Sequence, residues 1–289
     1  MNDEQDDDWF TERMQGVAGV TFKVTRRLHQ EQSAFQRIEV FESAHHGRVL
    51  VLDDCIMLTE LDEFIYHEML THVAAQALPR PRRALVVGGG DGGLAGELLR
   101  YPDLEVTVAE IDERVVRVSQ EFFPAVARSF DDPRVTLAVG DGARLLAGAT
   151  PASLDLVLVD STDPVGPATT LVTEDFYQAA ARALRADGVF VAQTQSPFYH
   201  AEEIRQIYAR LGRAFARTWM FWAVCPSYPG FFWTFCFASQ SLDPLAATPP
   251  LDLHRRWGLR YYTAEVHRAA FALPPFAQDC LPEGHPQRR

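Results

Sequence analysis

Carboxylate side chains that follow apolar runs are the first candidates for chemistry in this sequence. They are Asp91, Glu110, Asp141, Asp160 and Asp163. In a parallel sheet covered by helices, ligands bind beyond the carboxyl ends of the strands, so we expect these side chains to converge on one crevice. Several acids without a basic cluster suit an uncharged nucleoside with cationic groups and do not suit a phosphate-rich ligand. The alternative is that each acid lies in a solvated loop.

A glycine-rich run places the first of these acids. Gly88-Gly89-Gly90-Asp91-Gly92-Gly93 directly follows an apolar run and opens a helical segment. Glycines there permit a tight turn and let a ligand approach the backbone. Glu110 lies about 20 residues further on, where an acid can accept hydrogen bonds from two ribose hydroxyls. No Lys-Ser/Thr pair follows the glycines, so the run is not a phosphate-binding P-loop, and a purely structural turn is the alternative.

The elements that must position these residues alternate between strand and helix from residue 83 onward. The apolar runs predict strands at 84–87, 104–111, 135–139, 154–159 and 189–192, and the periodic segments predict helices at 94–100, 113–123, 174–184 and 202–215. This alternation predicts parallel strands with helices on both faces. The uncharged stretch 219–237 is broken by Pro226 and Pro229, so it predicts two buried strands joined by a loop rather than a membrane helix.

The N-terminal part follows a different pattern. Residues 1–8 are predicted to be an acidic disordered tail, and residues 21–60 show short alternating apolar segments typical of antiparallel hairpins. A helix is predicted at 63–78, where Pro79 ends it. We therefore expect a small β-sheet domain at 9–61 and an α/β domain at 62–289.

Composition and charge exclude several classes of protein. The 289 residues carry a net charge of −12, from 27 basic and 39 acidic side chains, which argues against nucleic-acid binding and suits a cationic substrate. Cys55, Cys225, Cys236 and Cys280 are far apart and form no zinc or disulfide pattern, which favours a cytoplasmic location. His67 and His72 are five residues apart rather than the four of a zinc-protease helix, so we expect supporting histidines and no metal.

An ordered series of segments resembles the spermidine synthase family, the polyamine aminopropyltransferases. The segments are SAFQRIEVFES, DEFIYHEML, GGGDGG, EID, GDG, DSTDPVGPA, PSYPG and YYTAEVHRAAFALP, and they extend from about Trp9 to Phe276. The resemblance implies a small N-terminal β domain before a Rossmann-like, doubly wound domain. It implies transfer of the aminopropyl group of decarboxylated S-adenosylmethionine, a co-substrate, to putrescine, giving spermidine and methylthioadenosine. A homodimer or homotetramer is also implied.

The same resemblance implies roles for single residues. Those implied for the donor site are Gln36, Gly88, Gly90, Asp91, Glu110, Asp141 and Gly142. Those implied for the amine site are Tyr66, His67, Asp91, Asp160, Asp163 and Tyr228. Asp160 would activate the attacking amine, and residues 161–171 would cover the site. Asp91 would contact the aminopropyl ammonium and repel the carboxylate of intact S-adenosylmethionine.

The sequence departs from the family pattern in several places. The departures are Asp54, Leu61, Gly96, Thr169, Gln195, Phe231 and Phe232. We expect the last four to lie near the amine pocket, so cadaverine, agmatine or a longer polyamine are alternatives to putrescine. Two other hypotheses are an amine N-methyltransferase, against which Asp91 argues, and a non-catalytic binding protein, against which Asp160 and the two tyrosines argue.

Overall fold

Two β-sheets, one after the other along the chain, dominate residues 8–163 and 166–288, which the computed structural model describes. The first sheet is antiparallel throughout, and its strands follow chain order. Its strands are β1 (Trp9–Met14), β2 (Ala18–Gln32), β3 (Arg37–Ser43), β4 (Gly47–Leu52) and β5 (Cys55–Thr59). Alternation buries one face of β1, on which Phe10, Glu12 and Met14 lie. The predicted N-terminal sheet of hairpins is confirmed.

The second sheet has seven strands in the order β11-β12-β10-β9-β6-β7-β8. They are β6 (Arg83–Gly88), β7 (Glu105–Glu110), β8 (Val135–Val139), β9 (Leu154–Asp160), β10 (Leu184–Gln193), β11 (Arg217–Val224) and β12 (Phe232–Ser239). Five neighbouring strands are parallel to one another, in the sheet order β10, β9, β6, β7 and β8. Beside β10, the strands β12 and β11 extend the sheet by antiparallel pairing. The chain winds outward in both directions from β6, so the topological switch point lies between β6 and β9. The Rossmann-like prediction is confirmed.

Helices connect and cover these strands. They are α1 (Glu63–Ala75), α2 (Gly93–Leu98), α3 (Glu113–Phe122), α4 (Pro124–Ala127), α5 (Gly142–Ala147), α6 (Glu174–Ala183), α7 (Ala201–Ala214), α8 (Leu253–Trp257), α9 (Ala264–Ala269) and α10 (Pro275–Gln278). Short 3-10 turns occur at Arg128–Asp131, Gly166–Val172 and Pro244–Ala246. Within the described ranges, none of the helices combines the length and the apolar character that crossing a membrane requires.

Three apolar clusters hold the site in place. Alternate residues of β6 point to opposite faces of the large sheet, so Val86 packs in one cluster and Leu85 in another. A third cluster joins the small sheet to the large domain, because Ile38 and Leu50 pack against Val115 of α3. The small sheet is thereby fixed over the carboxyl end of β7.

The stretch 219–237 forms the antiparallel pair β11–β12, as predicted. The sequence did not predict the strand β1 or the short helices α4, α5, α8, α9 and α10. Most of the predicted tail lies outside the described residues. Asp8 is described, and it accepts hydrogen bonds of 2.8 and 2.9 Å from the Arg27 guanidinium. The boundary between residues 61 and 62 stays a prediction, and the two sheets lie on either side of it.

Candidate active site

A cavity of about 500 Å³ opens between the small sheet and the carboxyl edge of the large sheet. It lies at the switch point between β6 and β9. The predicted site residues that line it are Gln36, Tyr66, Gly88, Gly90, Asp91, Glu110, Asp141, Gly142, Asp160, Asp163 and Tyr228. All five strand-end acids therefore meet at one cavity, as the apolar runs predicted.

The turn after β6 requires glycine because it touches the end of β9. Gly88 has φ of +83°, and a Cβ there would lie 1.9 Å from the main-chain oxygen of Asp160. The next residue, Gly89, donates its N–H to the same oxygen at 2.9 Å. This contact brings Asp91 and Asp160 to the same wall of the cavity.

Glu110 is held at the end of β7 by two backbone donors. Gly90 N–H donates to Oε2 at 3.1 Å, and Asp112 N–H donates to Oε1 at 2.9 Å. Burial raises the pKa of the Glu110 carboxyl to about 7, and the charges of Asp112 and Asp91 act in the same direction. A ligand that donates hydrogen bonds to the carboxylate offsets this burial cost.

Asp141 and Gln36 flank the same end of the cavity. Asp141 caps α5, where its Oδ1 accepts from the N–H groups of Ala143 and Arg144 at 2.9 and 3.2 Å. Gln36 reaches in from the small sheet, and its Nε2 donates to Asp112 at 3.1 Å. The nucleoside-binding residues predicted from the sequence thus lie together at the β6–β7 side of the cavity.

Behind Asp91 lies a partly buried row of charged groups, with the buried His67 at its centre. His67 Nδ1 is 2.7 Å from Glu63 Oε2, and its Nε2 is 3.4 Å from Asp91 Oδ2. Burial opposes the imidazolium, but the charge of Asp91 and the contact with Glu63 outweigh it and raise the pKa of His67 well above its usual value. His67 is not among the residues that line the cavity and lies behind Asp91, so its implied role at the amine site stays a prediction.

Asp91 is consequently held ionised. Burial disfavours its charge, but the His67 charge and the hydrogen bonds from His67 and Gly93 N–H outweigh this and lower the pKa. His67, Asp91 and Asp160 place one ligand atom each within 4.8 Å of one another, a spacing that can also hold a metal ion. The two carboxylates of this group also suit an organic cation.

Asp160 has the opposite electrostatic environment. Burial and the charge of Asp91 raise the pKa of its carboxyl to about 7, against the opposing effects of His67 and of the Tyr66 hydroxyl. Its Oδ2 is buried without a hydrogen-bond partner in the described part of the chain. Such an oxygen is available to accept a proton from a bound ligand.

A further acid, not predicted from the sequence, comes from the small sheet. Glu12 on β1 lines the cavity although its residue is only 5% exposed, and its Oε2 accepts from Ile56 N–H at 2.8 Å. Burial raises the pKa of Glu12 to about 7, and the charge of Asp163 adds to this effect. Cys55 lies nearby, and burial raises the pKa of its thiol to about 12, so the thiol is neutral. The sequence did contain one indication of this position, because Glu12 alternates with the apolar Phe10 and Met14 and would share their inward face in a strand.

Aromatic rings form the wall between these acids. Tyr66 and Tyr228 have ring centroids 5.9 Å apart, and Trp233 packs 4.9 Å from Tyr228. The Tyr228 hydroxyl donates to the Met57 main-chain oxygen at 2.8 Å, which leaves its oxygen as an acceptor. Apolar ring faces beside acids suit an aliphatic cation.

The four sequence departures expected at the amine pocket are absent from the lining residues that the structure describes. Phe231 is 53% exposed, and Phe232 stacks on Trp222 with ring centroids 4.7 Å apart. Thr169 is exposed, and its hydroxyl donates to Gly166 main-chain oxygen. Gln195 is buried, while Gln193 lines the cavity in its place. Their chain neighbours Ala168, Thr170 and Trp233 do line the cavity, so the effect of the four departures on the choice of acceptor stays a prediction.

The predicted covering segment does border the cavity. Its lining residues are Ser161, Thr162, Asp163, Gly166, Ala168, Thr170 and Leu171. Residues 164 and 165 of this segment lie outside the described ranges.

Family models match both parts of the chain. Residues 63–246 match a model described as the spermine/spermidine synthase domain. Residues 8–60 match a model described as the spermidine synthase tetramerisation domain. The first match contains every strand-end acid of the cavity, and the second contains Glu12 and Gln36.

Relatives of similar length support the same grouping. The polyamine aminopropyltransferase of Desulforudis audaxviator is 42% identical over 94% of this chain and 98% of its own length. That of Bacillus subtilis is 41% identical with the same coverage. A crystal structure of a spermidine synthase in complex with the transition state analogue AdoDATO superposes with a TM-score of 0.91 at 37% identity, over 94% of both chains. The spermidine synthase of Thermotoga maritima superposes with a TM-score of 0.89 at 36% identity, also over 94% of both chains.

Proposed function

Because the chain belongs to the spermine/spermidine synthase family, we propose that it transfers the aminopropyl group of decarboxylated S-adenosylmethionine to putrescine. The enzyme class is that of a transferase, a polyamine aminopropyltransferase. Spermidine and methylthioadenosine are the proposed products. The observation that carries the proposal is the pair of partly buried carboxylates, Asp91 and Asp160, which line the same wall of the cavity within 4.8 Å of each other and whose pKa values are shifted in opposite directions.

The amine must lose a proton before it can attack. A free alkylamine has a pKa near 10, so Asp160 is a better base at a pKa of about 7 than at its ordinary value. Asp160 takes the proton, and the nitrogen lone pair attacks the carbon next to the sulfonium. The carbon–sulfur bond breaks, and its electron pair returns to sulfur as methylthioadenosine leaves. The new secondary ammonium keeps its charge, and Asp160 releases its proton to solvent.

Asp91 supports the choice of the decarboxylated donor. Its ionised carboxylate, backed by His67, is complementary to the donor's ammonium. Intact S-adenosylmethionine carries a carboxylate on the carbon that bears the ammonium, and that carboxylate would be repelled by Asp91. The repulsion acts in a buried site, where it is screened less than in water.

Putrescine is supported by further acids in the same cavity. Asp160 and Tyr66 are assigned to the reacting end, and Glu12 of the small sheet and Asp163 also line the cavity. A diamine has two cations to pair with them, and the rings of Tyr66, Tyr228 and Trp233 cover the methylenes between. Cadaverine and agmatine also carry two cations, so they remain the competing acceptors in the test.

A product assay tests the proposal. The purified protein is incubated with decarboxylated S-adenosylmethionine and, separately, putrescine, cadaverine, agmatine and spermidine, and products are read by mass spectrometry. We expect methylthioadenosine and spermidine, with putrescine giving the highest kcat/KM. A higher kcat/KM for another amine would replace the acceptor, and methylation from intact S-adenosylmethionine would replace the reaction.

The proposal includes association and location. We expect a homodimer or homotetramer built through the small sheet, in which Trp9 and Val17 are 50% and 79% exposed. Light scattering after size exclusion distinguishes the two from a monomer. A cytoplasmic location is also part of the proposal, and the free thiols of Cys55, Cys225, Cys236 and Cys280 favour it.

A further inference from the structure

Asp112 joins the small sheet to the donor end of the cavity. It is 2% exposed, and its Oδ2 accepts from Ser33 Oγ at 2.6 Å and from Gln36 Nε2 at 3.1 Å. Its Oδ1 caps α3 by accepting from Arg114 N–H at 3.0 Å. The N–H of Asp112 donates to Glu110, as described above. One buried residue therefore contacts two of the side chains assigned to donor binding.

The chemistry of a carboxylate fixes the orientation of Gln36. An ionised carboxylate only accepts hydrogen bonds, so the Gln36 amide must present its Nε2 to Asp112. The carbonyl Oε1 is the amide atom that is left for the cavity, which Gln36 lines. An amide without such a partner can turn over and present a donor instead.

The turn that carries Gln36 depends on the same carboxylate. Ser33 Oγ accepts from the N–H groups of Phe35 and Gln36, both at 3.0 Å, and donates its proton to Asp112. Phe35 lines the mouth of the cavity. The outer side of this connection is held by Glu31 and Arg114, which form two hydrogen bonds of 2.8 Å outside the cavity.

We propose that Asp112 is a positioning residue that holds Gln36 with its carbonyl oxygen toward the nucleoside of the donor, so that Gln36 acts there as a hydrogen-bond acceptor. The inference rests on the proposed function, since it requires a nucleoside donor. It predicts that donor recognition depends on which of the two side chains, Gln36 or Asp112, donates the hydrogen bond between them. The charge of Asp112 alone should not decide it.

A polarity swap tests the inference. In Asp112→Asn, the Oδ1 cap of α3 is retained, but the new Nδ2 opposes Gln36 Nε2, so Gln36 turns over and presents a donor to the nucleoside. Adding Gln36→Glu lets that Nδ2 donate to one oxygen of the new carboxylate while the other oxygen faces the nucleoside as an acceptor. The double variant has the same net charge as the wild type. Glu31→Gln is the control, because it weakens the outer ion pair without touching the cavity.

Calorimetric binding of methylthioadenosine and steady-state kinetics supply the readouts. We expect Asp112→Asn to raise the Kd of methylthioadenosine and the KM of the donor about tenfold, or about 1.4 kcal/mol. The KM of the amine should change less than about twofold, because the loss is confined to the donor end. The double variant should recover most of the loss, and Glu31→Gln should bind like the wild type.

Two outcomes overturn the inference alone. One is an Asp112→Asn variant that binds methylthioadenosine with the wild-type Kd. If only the Tm of that variant fell, Asp112 would stabilise the fold without positioning Gln36. The other is a double variant that binds no better than Asp112→Asn. A wild-type protein that binds no methylthioadenosine and transfers no aminopropyl group would instead overturn the proposed function, and the inference with it.

Discussion

The main-chain oxygen of Asp160 accepts a 2.9 Å hydrogen bond from the N–H of Gly89, so the ends of β9 and β6 are tied together at the site. The proposed base and the turn that leads to Asp91 therefore form one rigid unit. Reactants that are held in line by such a unit gain rate from their orientation, and displacements of about 1 Å can cost about 100-fold.

Gly88→Ala should break this unit. Its Cβ would lie 1.9 Å from the Asp160 oxygen at a φ of +83°, so one strand end must move. We expect a loss of at least about 2 kcal/mol in the free energy of unfolding and of about 100-fold in kcat. Denaturant unfolding and product formation measure the two effects.

Gly96→Ala is the matched control. Gly96 lies inside α2, where a Cβ would meet only Ser129 Cβ at 3.9 Å, an ordinary contact. Alanine should therefore stabilise the protein by about 0.5–1 kcal/mol and leave kcat unchanged. Equal behaviour of the two variants would mean that the contact at Gly88 does not position the site.

Asp160→Asn should separate chemistry from donor binding. The amide cannot take a proton from the amine, so we expect kcat to fall about 10²–10⁴-fold. Methylthioadenosine should bind within about threefold of wild type, because Asp160 is assigned to the amine. Asp187→Asn, at an exposed acid, is the control. Near-normal turnover in Asp160→Asn would remove Asp160 as the base.

The apolar runs and the glycine run were sufficient to predict the large sheet and the position of its strand-end acids. Buried parallel strands are continuous in apolar residues, and their carboxyl ends share an edge, so Glu110 and Asp160 could be placed together without a structure. The segment that became α5 is only six residues long and has too few turns to show a helical period.

Contacts between distant segments could not be predicted. Glu12 was not singled out from the sequence, because its buried partner, the N–H of Ile56 on β5, is remote in the chain. Asp112 was not singled out from the sequence either, because its partners Ser33 and Gln36 are remote in the chain. Phe231 is close in the chain to lining residues but does not line the cavity itself, and this has a local cause. Its φ of +57° belongs to a turn that leaves the ring in solvent, and sequence spacing does not reveal such a reversal.

Stability without ligand should fall as the pH rises through about 7. Asp160, Glu110 and Glu12 have pKa values of about 7 in the folded protein, above their ordinary values of 3.8, 4.5 and 4.5. Between these values the folded state holds protons that the unfolded state has lost. The stabilisation from these three carboxyl groups is therefore complete at pH values below their pKa values in the unfolded chain. It is lost as the pH rises through their pKa values in the folded protein.

Comparing Asp160→Asn with wild type isolates one of these groups, since the histidines and the other acids are common to both. We expect the Tm of the variant, measured relative to the wild type, to rise between pH 5 and pH 8, because the wild type loses the stabilisation of a protonated Asp160 over this range and the variant does not. Differential scanning fluorimetry across this range supplies the measurement. A Tm difference that does not grow with pH would contradict a raised pKa at Asp160.

Asp91→Asn should weaken donor discrimination. Asparagine can still accept from Gly93 N–H, but it neither attracts the ammonium of the decarboxylated donor nor repels the carboxylate of the intact one. Losing a charged hydrogen bond costs about 1.5–3 kcal/mol, so affinity for the decarboxylated donor should fall at least about tenfold. Competition of each donor against methylthioadenosine gives the ratio of affinities, and an unchanged ratio would exclude Asp91 as the selecting residue.

Glu12→Gln should weaken recognition of the second ammonium of the acceptor. Glutamine can still accept from Ile56 N–H, so the local fold is retained while the charge is lost. We expect the KM of putrescine to rise about tenfold or more, and its advantage over butylamine, which lacks the second cation, to shrink.

Glu39→Gln is the control, because Glu39 is 6% exposed on the same sheet but pairs with Arg27 and Arg37 outside the cavity. If both variants kept the wild-type ratio of kcat/KM for putrescine and butylamine, the second cation would be bound elsewhere, and Asp163 would be the next residue to change.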